Sequence, residues 1–565
     1  MSVKMNQHTN LSAKNFLFLL VLLLIVNGVG LFHPIFNIDS ALYACISKYI
    51  VNSNDIIHLI VYDKDWLDKP HFPFWVCALS MKLFGINSFA YKLPSFLFFC
   101  LGLYYTYQIA VRQYNKQVAQ WSVLLTGTAL HIILSNNDVR AEAILIGVLM
   151  GAAYYTYLLF EKGSLKNIVL ASLFTAFAIM TKGIFILIII YSALIGHALL
   201  NQKVKCLIKK RWAITLLLTS VFIAPELIAL YIQFDMHPEK IIFDTQNVSG
   251  IQFFLWDSQF GRFFNSGPIK GNGDPFFFLH TLLWAFAPWA LIGYFTLFKE
   301  IKAGLGQQEK EYYNLFGFVV IFILFSLSSF QLPHYTNIIF PFLSIITARE
   351  IVNSRSSKLS QQIIQYSTIT YSLLFAILLL LIEFVYFDRF SSLGGLLLSI
   401  IAAVIFYLVY FKDGIQRYAL QAVITTCIFG FYIHQVFYKD VLTYQGSIEA
   451  AEYINTHHKG RKTILLAKSW LMEFYNEQPT SYLYNWERIK QLSPHERPLI
   501  YCYEDQLEEI EEMNMEYTIS KTFKAFHITI LNAEFLQKKT RKDALHTFYL
   551  IDLQTPKNLS HHVSK

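Results

Sequence analysis

The sequence predicts a polytopic membrane protein built mainly from α-helices and followed by a small C-terminal α/β domain. Of its 565 residues, 55% are hydrophobic and only 15% are charged, whereas about a quarter of the residues in soluble domains are charged. The mean hydropathy is +0.41. The net charge of +8 comes largely from short basic loops between apolar runs, which is a topological signal and predicts no nucleic-acid partner.

About thirteen apolar runs are long enough to cross a bilayer, because a spanning helix needs about 20 mostly apolar residues. No small-residue cleavage site follows the first run, so we expect a retained span and not a signal peptide. A further run at 73–85 is expected to be re-entrant or interfacial. The predicted spans are 15–33, 90–111, 118–135, 141–160, 167–181, 184–200, 212–233, 275–298, 313–329, 334–352, 367–387, 392–411 and 416–436.

The distribution of Lys and Arg predicts the orientation of these spans. Alternate loops each contain at least two basic residues, and the opposite loops contain few. The positive-inside rule therefore predicts a cytoplasmic N-terminus and an outer, periplasmic position for the long loop at 33–75. An odd number of spans places the C-terminal domain on the same outer side. The basic loops are 112–116, 161–166, 201–211, 299–310, 349–358 and 411–417.

The domain boundary is predicted after residue 438, giving a membrane domain at 1–438 and an accessory α/β domain at 439–565. Two helices are predicted there from GSIEAAEYINTHHKG and EDQLEEIEEMNM, and three strands from KTILLAK, PLIYCY and FHITILNA. Alternation of such elements is typical of an α/β domain. The last 25 or so residues are expected to be polar and loosely ordered.

Several charged residues are predicted to lie together on the outer side of the membrane. Ionisable residues near membrane depth are costly and usually functional, although a single lysine can also extend its ammonium to the interface. A carboxylate there can act as a general base, and Lys and Arg suit a phosphate. The pattern thus predicts a site for a lipid phosphate. The set comprises Asp39, Lys69, Asp138, Arg140, Glu142, Lys182, Arg262 and the run Pro333-His334-Tyr335.

Short motifs keep a fixed order over roughly residues 15 to 350. This ordered set resembles the GT-C class of integral-membrane glycosyltransferases that use polyprenyl-phosphate sugars, especially the 4-amino-4-deoxy-L-arabinose lipid A transferases and bacterial relatives of the protein mannosyltransferases. The motifs are Asp39-Ser40-Ala41-Leu42-Tyr43-Ala44, Leu67-Asp68-Lys69-Pro70, Phe74-Trp75, Leu83-Phe84-Gly85, Lys92-Leu93-Pro94-Ser95, Thr181-Lys182-Gly183, Trp256-Asp257-Ser258-Gln259-Phe260-Gly261-Arg262-Phe263, Pro275-Phe276-Phe277-Phe278, Pro288-Trp289 and Leu332-Pro333-His334-Tyr335.

The resemblance implies a role for individual residues. Asp39 matches the catalytic aspartate of the first outer loop, and Glu142 matches a second acidic residue, for which Asp138 is the competing choice. Lys69 and Arg262 match residues that hold the carrier phosphate. Lys182, His334 and Tyr335 are expected in the same phosphate site. The run at 332–335 could equally begin a helix, since Pro is common at the first helical position.

The resemblance also implies an activity. It predicts transfer of a hexose or pentose from an undecaprenyl-phosphate donor to a lipid A-like, glycan or protein acceptor, at the periplasmic face of the bacterial inner membrane. Attack opposite the phosphate predicts inversion at the anomeric carbon. Gln259 and Asn272 stand where the lipid A enzymes have histidines that bind a metal. We therefore predict no essential metal or other cofactor, with Asp68 and Asp257 as the candidate ligands of a divalent cation.

Three alternatives stay open at the level of sequence. A lipid or solute transporter or flippase is also polytopic, but such proteins often contain internal repeats or paired broken helices, and none is evident here. A protein O-mannosyltransferase-like activity cannot be separated from lipid modification. A non-catalytic assembly factor would not need Asp39, Lys69 and Arg262. The long loop could by itself be an amphipathic segment on the bilayer surface.

Overall fold

The computed structural model describes residues 11–36, 38–307, 310–389, 391–410, 414–483, 485, 489, 498–513 and 515–553. Its helices are α1 (Ala13–Gly28), α2 (Ile38–Ser53), α3 (Phe72–Phe84), α4 (Ser88–Gln113), α5 (Lys116–Gly127), α6 (Leu130–Ser135), α7 (Ala141–Glu161), α8 (Leu165–Lys182), α9 (Ile186–Leu200), α10 (Lys210–Phe222), α11 (Ala224–Leu230), α12 (Gly250–Gln252), α13 (Phe277–Ala285), α14 (Ala290–Lys302), α15 (Tyr313–Leu327), α16 (Phe340–Asn353), α17 (Lys358–Leu381), α18 (Ser392–Tyr410), α19 (Gln416–Tyr432), α20 (Lys439–Val441), α21 (Gly446–His457), α22 (Trp470–Tyr475), α23 (Glu504–Glu512) and α24 (Ala533–Leu536).

The membrane region has the helices that the apolar runs predict. Seven helices among the described residues are long and apolar enough to cross a bilayer, and shorter apolar helices occur beside them. Every predicted span coincides with at least one helix, and the run at 73–85 forms the short helix α3. The polytopic, mainly helical architecture is therefore confirmed. The count of thirteen spans stays a prediction.

Helix α7 occupies the centre of the bundle and fixes the separation of its neighbours. Its side chains are buried along most of its length. At Gly147 an added Cβ would lie 2.3 Å from the backbone oxygen of Phe98 on α4, so only glycine permits this approach. Small residues at such crossings are the usual way in which membrane helices pack closely. Close packing of α4 and α7 sets the position of Glu142 in the first turn of α7.

The two ends of α7 carry different groups of loops. Its C-terminal Glu161 accepts a 2.6 Å hydrogen bond from Arg112 at the end of α4, and both residues border predicted cytoplasmic loops. Its first turn instead contains Glu142, which is ion-paired with Lys182 at the end of α8. The loops therefore group at the two ends of the bundle as the charge pattern predicts. Which end faces the cytoplasm stays a prediction.

The C-terminal region (446–553) contains a mixed five-stranded sheet in the order β4-β3-β5-β7-β6. Strand β3 pairs in parallel with β4 and β5, and β7 pairs antiparallel with β5 and β6. The predicted small α/β unit is confirmed as a fold, although the last membrane helix continues to Tyr444 and the division at 438 stays a prediction. The strands, preceded by a short hairpin of β1 and β2 in the first loop, are β1 (Ile60–Val61), β2 (Lys64–Asp65), β3 (Thr463–Leu465), β4 (Thr480–Tyr482), β5 (Leu499–Tyr503), β6 (Tyr517–Ala525) and β7 (His546–Leu553).

The predicted strand FHITILNA is wrong, and the reason is a tertiary contact. Residues 526–532 form turns and open chain. Ile528 and Leu531 instead line a groove together with Phe437 and Leu442 of the last membrane helix. Ile528 is buried against the helix ends and not in the sheet. The final strand, β7, lies within the tail expected to be loosely ordered, and the end of that tail, 554–565, is outside the described residues.

Candidate active site

The predicted site residues converge at one end of the helical bundle although they are far apart in sequence. Asp39 lies in the first turn of α2 and Glu142 in the first turn of α7, while Lys182 is the last residue of α8. Lys69 lies in the loop before α3. Arg262 directly follows a π-helical segment at Phe253–Gly261, and His334 and Tyr335 belong to a 3₁₀ helix at Pro333–Ile339.

A cavity of about 610 Å³, part of it open to solvent, lies at this end of the bundle. Its polar side is formed by Lys69, Lys182 and Arg262, which together with Asp68 and Tyr335 we call the cation pocket. Aromatic rings form most of the rest of the wall, together with two serines and a glutamine. The lining residues are Asp68, Lys69, Lys182, Phe185, Ser258, Gln259, Arg262, Phe263, Phe325, Ser328, Phe330 and Tyr335.

Each cation of the pocket has a fixed partner. Lys69 donates to Asp68 at 2.7 Å, and Arg262 is paired with the other oxygen of the same carboxylate. Lys182 is paired with Glu142, and its ammonium lies 4.1 Å from the centre of the Tyr335 ring, a cation–π distance. Three cations face two carboxylates, so the pocket keeps a net positive charge and attracts an anion.

Burial and neighbouring charges both shift the pKa values of Asp68 and Lys69 in the first loop. Burial alone would raise the pKa of the Asp68 carboxyl, but Lys69 and Arg262 outweigh it and hold that pKa below its usual range. Burial lowers the pKa of the Lys69 ammonium, Asp68 opposes this in part, and Arg262 and Lys182 lower it further. The buried Nε–H of Arg262 has no hydrogen-bond acceptor within the described part of the chain. The pocket therefore still has hydrogen-bonding capacity for an anion.

A second group of charges connects Asp39 to the cation pocket. Arg140 lies 3.5 Å from the Asp39 carboxylate, and its Nε donates to Asp138 at 2.9 Å. The Nη1 of Arg140 also donates to Nδ1 of His334 at 3.1 Å, and Nε2 of that imidazole lies 3.8 Å from Glu142. We call these five residues the Asp39 network. Because Glu142 is also the partner of Lys182, the ion pair of these two residues joins the network to the pocket.

Asp39 differs from the other carboxylates of the site in its exposure. Its side chain is 55% exposed, whereas that of Glu142 is 3% exposed. The backbone beside Asp39 is nevertheless held firmly, because the buried Tyr91 hydroxyl donates to the Ser40 carbonyl at 2.8 Å. The ammonium of Lys92, which is fully buried, donates to the carbonyls of Gly30, His33 and Pro34 at 3.1, 2.8 and 3.1 Å. An accessible carboxylate on a fixed backbone suits a general base.

The structure brings all seven predicted residues together but distributes them over two groups. Lys69, Lys182, Arg262 and Tyr335 line the cavity, whereas His334 is absent from its lining and belongs to the Asp39 network with Glu142. Arg140 is predicted from the sequence only as a member of the outer charged set, and the structure places it between Asp39 and Asp138. Asp68 is predicted from the sequence only as a candidate metal ligand, whereas in the structure it pairs with Lys69 and Arg262. The acidic-Lys-Pro motif is the sequence signal that points to Asp68. The depletion of basic residues on this face is the signal that points to Arg140.

The residues present do not fit a metal ion at the positions of the family's histidines. Both oxygens of Asp68 are occupied by Lys69 and Arg262, and the Gln259 amide donates to Ser258 at 3.1 Å. Among the described residues, no three His, Cys, Asp or Glu side chains are grouped as metal ligands. We derive no step through a metal, and the expectation that none is essential stays a prediction.

Comparison with known proteins identifies what the chain resembles. Residues 68–228 match the family model described as dolichyl-phosphate-mannose-protein mannosyltransferase. The chain is 25% identical over 353 residues to an uncharacterized protein of Aquifex aeolicus, covering 61% of this chain and 65% of that protein. It is 23% identical over 347 residues to the undecaprenyl phosphate-alpha-4-amino-4-deoxy-L-arabinose arabinosyl transferase of Wigglesworthia glossinidia brevipalpis, covering 59% of this chain and 57% of that protein. The matched segment thus spans less than two thirds of either relative.

The fold of the whole chain is also found among solved structures. The crystal structure of ArnT from Cupriavidus metallidurans bound to undecaprenyl phosphate is similar with a TM-score of 0.72 at 16% sequence identity, covering 97% of this chain and 99% of that one. Its apo structure is similar with a TM-score of 0.70. The predicted resemblance is therefore confirmed: this polytopic membrane protein resembles the GT-C integral-membrane glycosyltransferases and has the fold of ArnT.

Proposed function

We propose that the protein is a glycosyltransferase that takes a sugar from an undecaprenyl-phosphate donor and transfers it to a hydroxyl of a membrane-associated acceptor. The observation that carries this proposal is the cation pocket, which combines three partly buried cations with an aromatic wall at the end of the helices. Cations suit the phosphate, and the rings suit the adjoining polyprenyl chain. The names of the similar arabinosyl transferases support the same donor class.

The chemistry follows from the two groups of charges. The acceptor hydroxyl gives its proton to Asp39 while its oxygen forms a bond to the anomeric carbon of the sugar. The bond between that carbon and the phosphate oxygen breaks, and undecaprenyl phosphate leaves with the electron pair. Lys69, Arg262 and Lys182 stabilise the charge that develops on the leaving phosphate. Because the base and the phosphate lie on opposite sides of the anomeric carbon, the transfer inverts its configuration.

The remaining residues hold these groups in place. Asp68 orients Lys69 and Arg262, and Glu142 orients Lys182. Arg140 holds the carboxylate of Asp39 and is itself held by Asp138 and His334. Tyr335 contributes the face of its ring to Lys182. In this proposal Glu142 acts through the cation beside it, because its buried carboxylate is already paired.

We propose a periplasmic site on the inner membrane, with the N-terminus in the cytoplasm. This orientation rests on the basic loops, which lie at the opposite end of the bundle from the cavity. The transferred group is proposed to be a pentose, by analogy with the arabinosyl transferases. Lipid A, another glycan and a protein are the acceptor classes to compare. A transporter would place its substrate near the bilayer midplane, whereas these charges lie at helix ends.

The test is binding and turnover of a defined donor by purified full-length protein in lipid nanodiscs. We expect undecaprenyl phosphate to bind, and undecaprenyl-phosphate 4-amino-4-deoxy-L-arabinose to be consumed when lipid A, a glycan or a protein hydroxyl is supplied. Mass spectrometry of the products identifies the acceptor class. If undecaprenyl phosphate does not bind at micromolar concentration, the proposed function is wrong. Binding without transfer to any of the three acceptors would contradict the catalytic part of the proposal.

The pH dependence of carrier binding should report the state of Lys69. Its pKa lies below the ordinary value of 10.5, so it loses its proton earlier than an exposed lysine as the pH rises. A phosphate monoester is already a dianion above a pKa of about 6 and does not change further. We expect undecaprenyl phosphate binding to weaken as the pH is raised toward 10.5, measured by titration in nanodiscs.

The variant Lys69→Arg supplies the control for this pH dependence, because an arginine stays protonated throughout the range. It should bind the carrier at neutral pH and keep that affinity at alkaline pH. Identical alkaline losses in the wild type and in Lys69→Arg would assign the titration to another group. They would thereby contradict the assignment of the alkaline loss to Lys69.

A further inference from the structure

The C-terminal region makes direct contact with the backbone that leads to Asp39. Four residues before Asp39, the Ile35 N–H donates to the Tyr475 hydroxyl at 2.8 Å, and the Ile35 carbonyl accepts from Gln445 at 3.3 Å. Both polar groups of this buried residue are thus satisfied by residues that follow the last predicted membrane span. The Tyr475 hydroxyl also bonds Ser88 at the start of α4. The chain that enters α2 is therefore held jointly by α4 and the C-terminal region.

Helix α2 itself is attached to the C-terminal region by Lys48. This residue is 5% exposed, and its ammonium donates to the carbonyls of Glu473, Phe474 and Asn476 at 2.7, 3.3 and 2.7 Å. These carbonyls lie at the C-terminal end of α22, where a helix has unpaired acceptors and a partial negative charge. One turn earlier on α2, the Cys45 thiol donates to the Trp470 carbonyl at 3.1 Å.

Aromatic contacts extend the same attachment to other parts of the site. The Tyr62 ring, in the first loop, stacks on Trp470 with the centroids 4.5 Å apart, and its hydroxyl donates to the Ser469 carbonyl at 2.7 Å. Phe474 packs against Tyr91 at 6.1 Å. Tyr91 in turn holds the Ser40 carbonyl directly after Asp39. Segment 470–476 therefore touches α2, the first loop and the tyrosine that fixes the Asp39 backbone.

We infer that segment 470–476 positions the catalytic base, and that Lys48 is the positioning residue that connects this segment to α2. The inference rests on the proposed function, in which Asp39 is the base. A buried ammonium is costly unless it is fully hydrogen-bonded, and Lys48 satisfies this by using backbone carbonyls of α22. Because the acceptors are backbone carbonyls, substitutions of side chains within segment 470–476 leave the hydrogen bonds of Lys48 available. The C-terminal region is in this view a part of the catalytic centre and not a separate platform for the acceptor.

The experiment compares Lys48→Met and Tyr475→Phe with the control Lys82→Met in full-length protein. Methionine is one atom shorter than lysine, fills most of the same space and removes the three donors, and phenylalanine removes only the hydroxyl that binds Ile35. Lys82 lies on α3 and bonds only the exposed Asn54 among the described residues. Three quantities are measured in nanodiscs: amide hydrogen exchange in 38–53 and 470–476, the Kd of undecaprenyl phosphate, and kcat with KM for transfer.

We expect Lys48→Met to speed exchange in α2 and in 470–476 and to lower kcat about tenfold to 100-fold, because a small displacement of a catalytic group has effects of this size. The Kd of undecaprenyl phosphate should change less than about twofold, since Lys48 does not line the cation pocket. Tyr475→Phe should act in the same direction with a smaller effect. The control Lys82→Met should leave all three quantities at their wild-type values.

Three results would overturn the inference. Unchanged exchange in α2 would show that the segment does not restrain it. An unchanged kcat with a raised acceptor KM would make the C-terminal region an acceptor platform. A loss of carrier affinity as large as the loss of kcat would indicate general destabilisation. If the wild type transfers no sugar, the proposed function fails, and the exchange measurement still decides whether Lys48 restrains α2.

Discussion

The variant Asp39→Asn is expected to lose transfer activity while it retains the carrier. Asparagine keeps the shape of the side chain but cannot accept the proton of the attacking hydroxyl. Removal of a general base lowers kcat by about 10²- to 10⁴-fold, and we expect a loss in this range. Asp39 lies outside the cavity lined by the cations, so the Kd of undecaprenyl phosphate should stay close to that of the wild type. Single-turnover transfer and equilibrium binding, measured on the same preparation, check both parts.

The matched control for this variant is Asp505→Asn, which changes an exposed carboxylate of the C-terminal region. It should leave both kcat and carrier binding unchanged. Full activity of a folded Asp39→Asn protein would remove Asp39 from the mechanism. In that case Asp138, another carboxylate of the same network, would be examined by the same substitution.

The variant Arg262→Ala is expected to weaken carrier binding more than any other single change in the pocket. It removes one cation from the phosphate and also leaves the Asp68 carboxylate without its arginine partner. Truncating one member of a charge pair that is largely shielded from solvent costs about 2–4 kcal/mol, or roughly 30-fold to 1,000-fold in Kd. The loss should appear in the Kd of undecaprenyl phosphate, since the cation already acts on the bound ground state. Binding titrations in nanodiscs at fixed ionic strength measure it.

A double variant separates the two parts of this effect. In Arg262→Ala with Asp68→Asn, the carboxylate that would repel the phosphate is also removed, so about tenfold of the lost affinity should return. The difference between the effect of the double variant and the sum of the two single effects on the binding free energy is the coupling between the two residues. Lys270→Ala removes an exposed cation that follows Arg262 in the sequence and should change the Kd by less than about twofold because exposed charges are screened by salt. An unchanged Kd in Arg262→Ala would show that the phosphate binds elsewhere.

Much of the membrane region could be predicted because its determinant is local. A run of apolar residues forms a helix wherever it lies in lipid, since only intrahelical bonds satisfy its backbone. The runs at 90–111 and 141–160 accordingly match α4 and α7 within a few residues. The C-terminal region was harder to predict. Its segment 526–532 has the composition of a strand, but it packs against the end of the membrane helices, a contact that no local pattern records.

The sequence by itself predicted most of the residues that lie together at the candidate site. Lys69, Lys182 and Arg262 are basic residues in loops where basic residues are depleted, and Asp39 begins an ordered set of family motifs. Each of these signals can be recognised in the sequence without knowing the distances between residues in the folded protein. The resemblance they carry is confirmed by the fold.

Only the tertiary structure decided how these residues are divided and what holds them. The placement of His334 beside Arg140, the sharing of Asp68 by two cations, and the attachment of Lys48 to α22 each join segments far apart in sequence. Backbone carbonyls are the acceptors for Lys48, and every residue has one, so the sequence contains no sign of this bond. Hydrophobic patterning predicts the elements because it acts within a segment, whereas the electrostatics of a site depend on distances between segments.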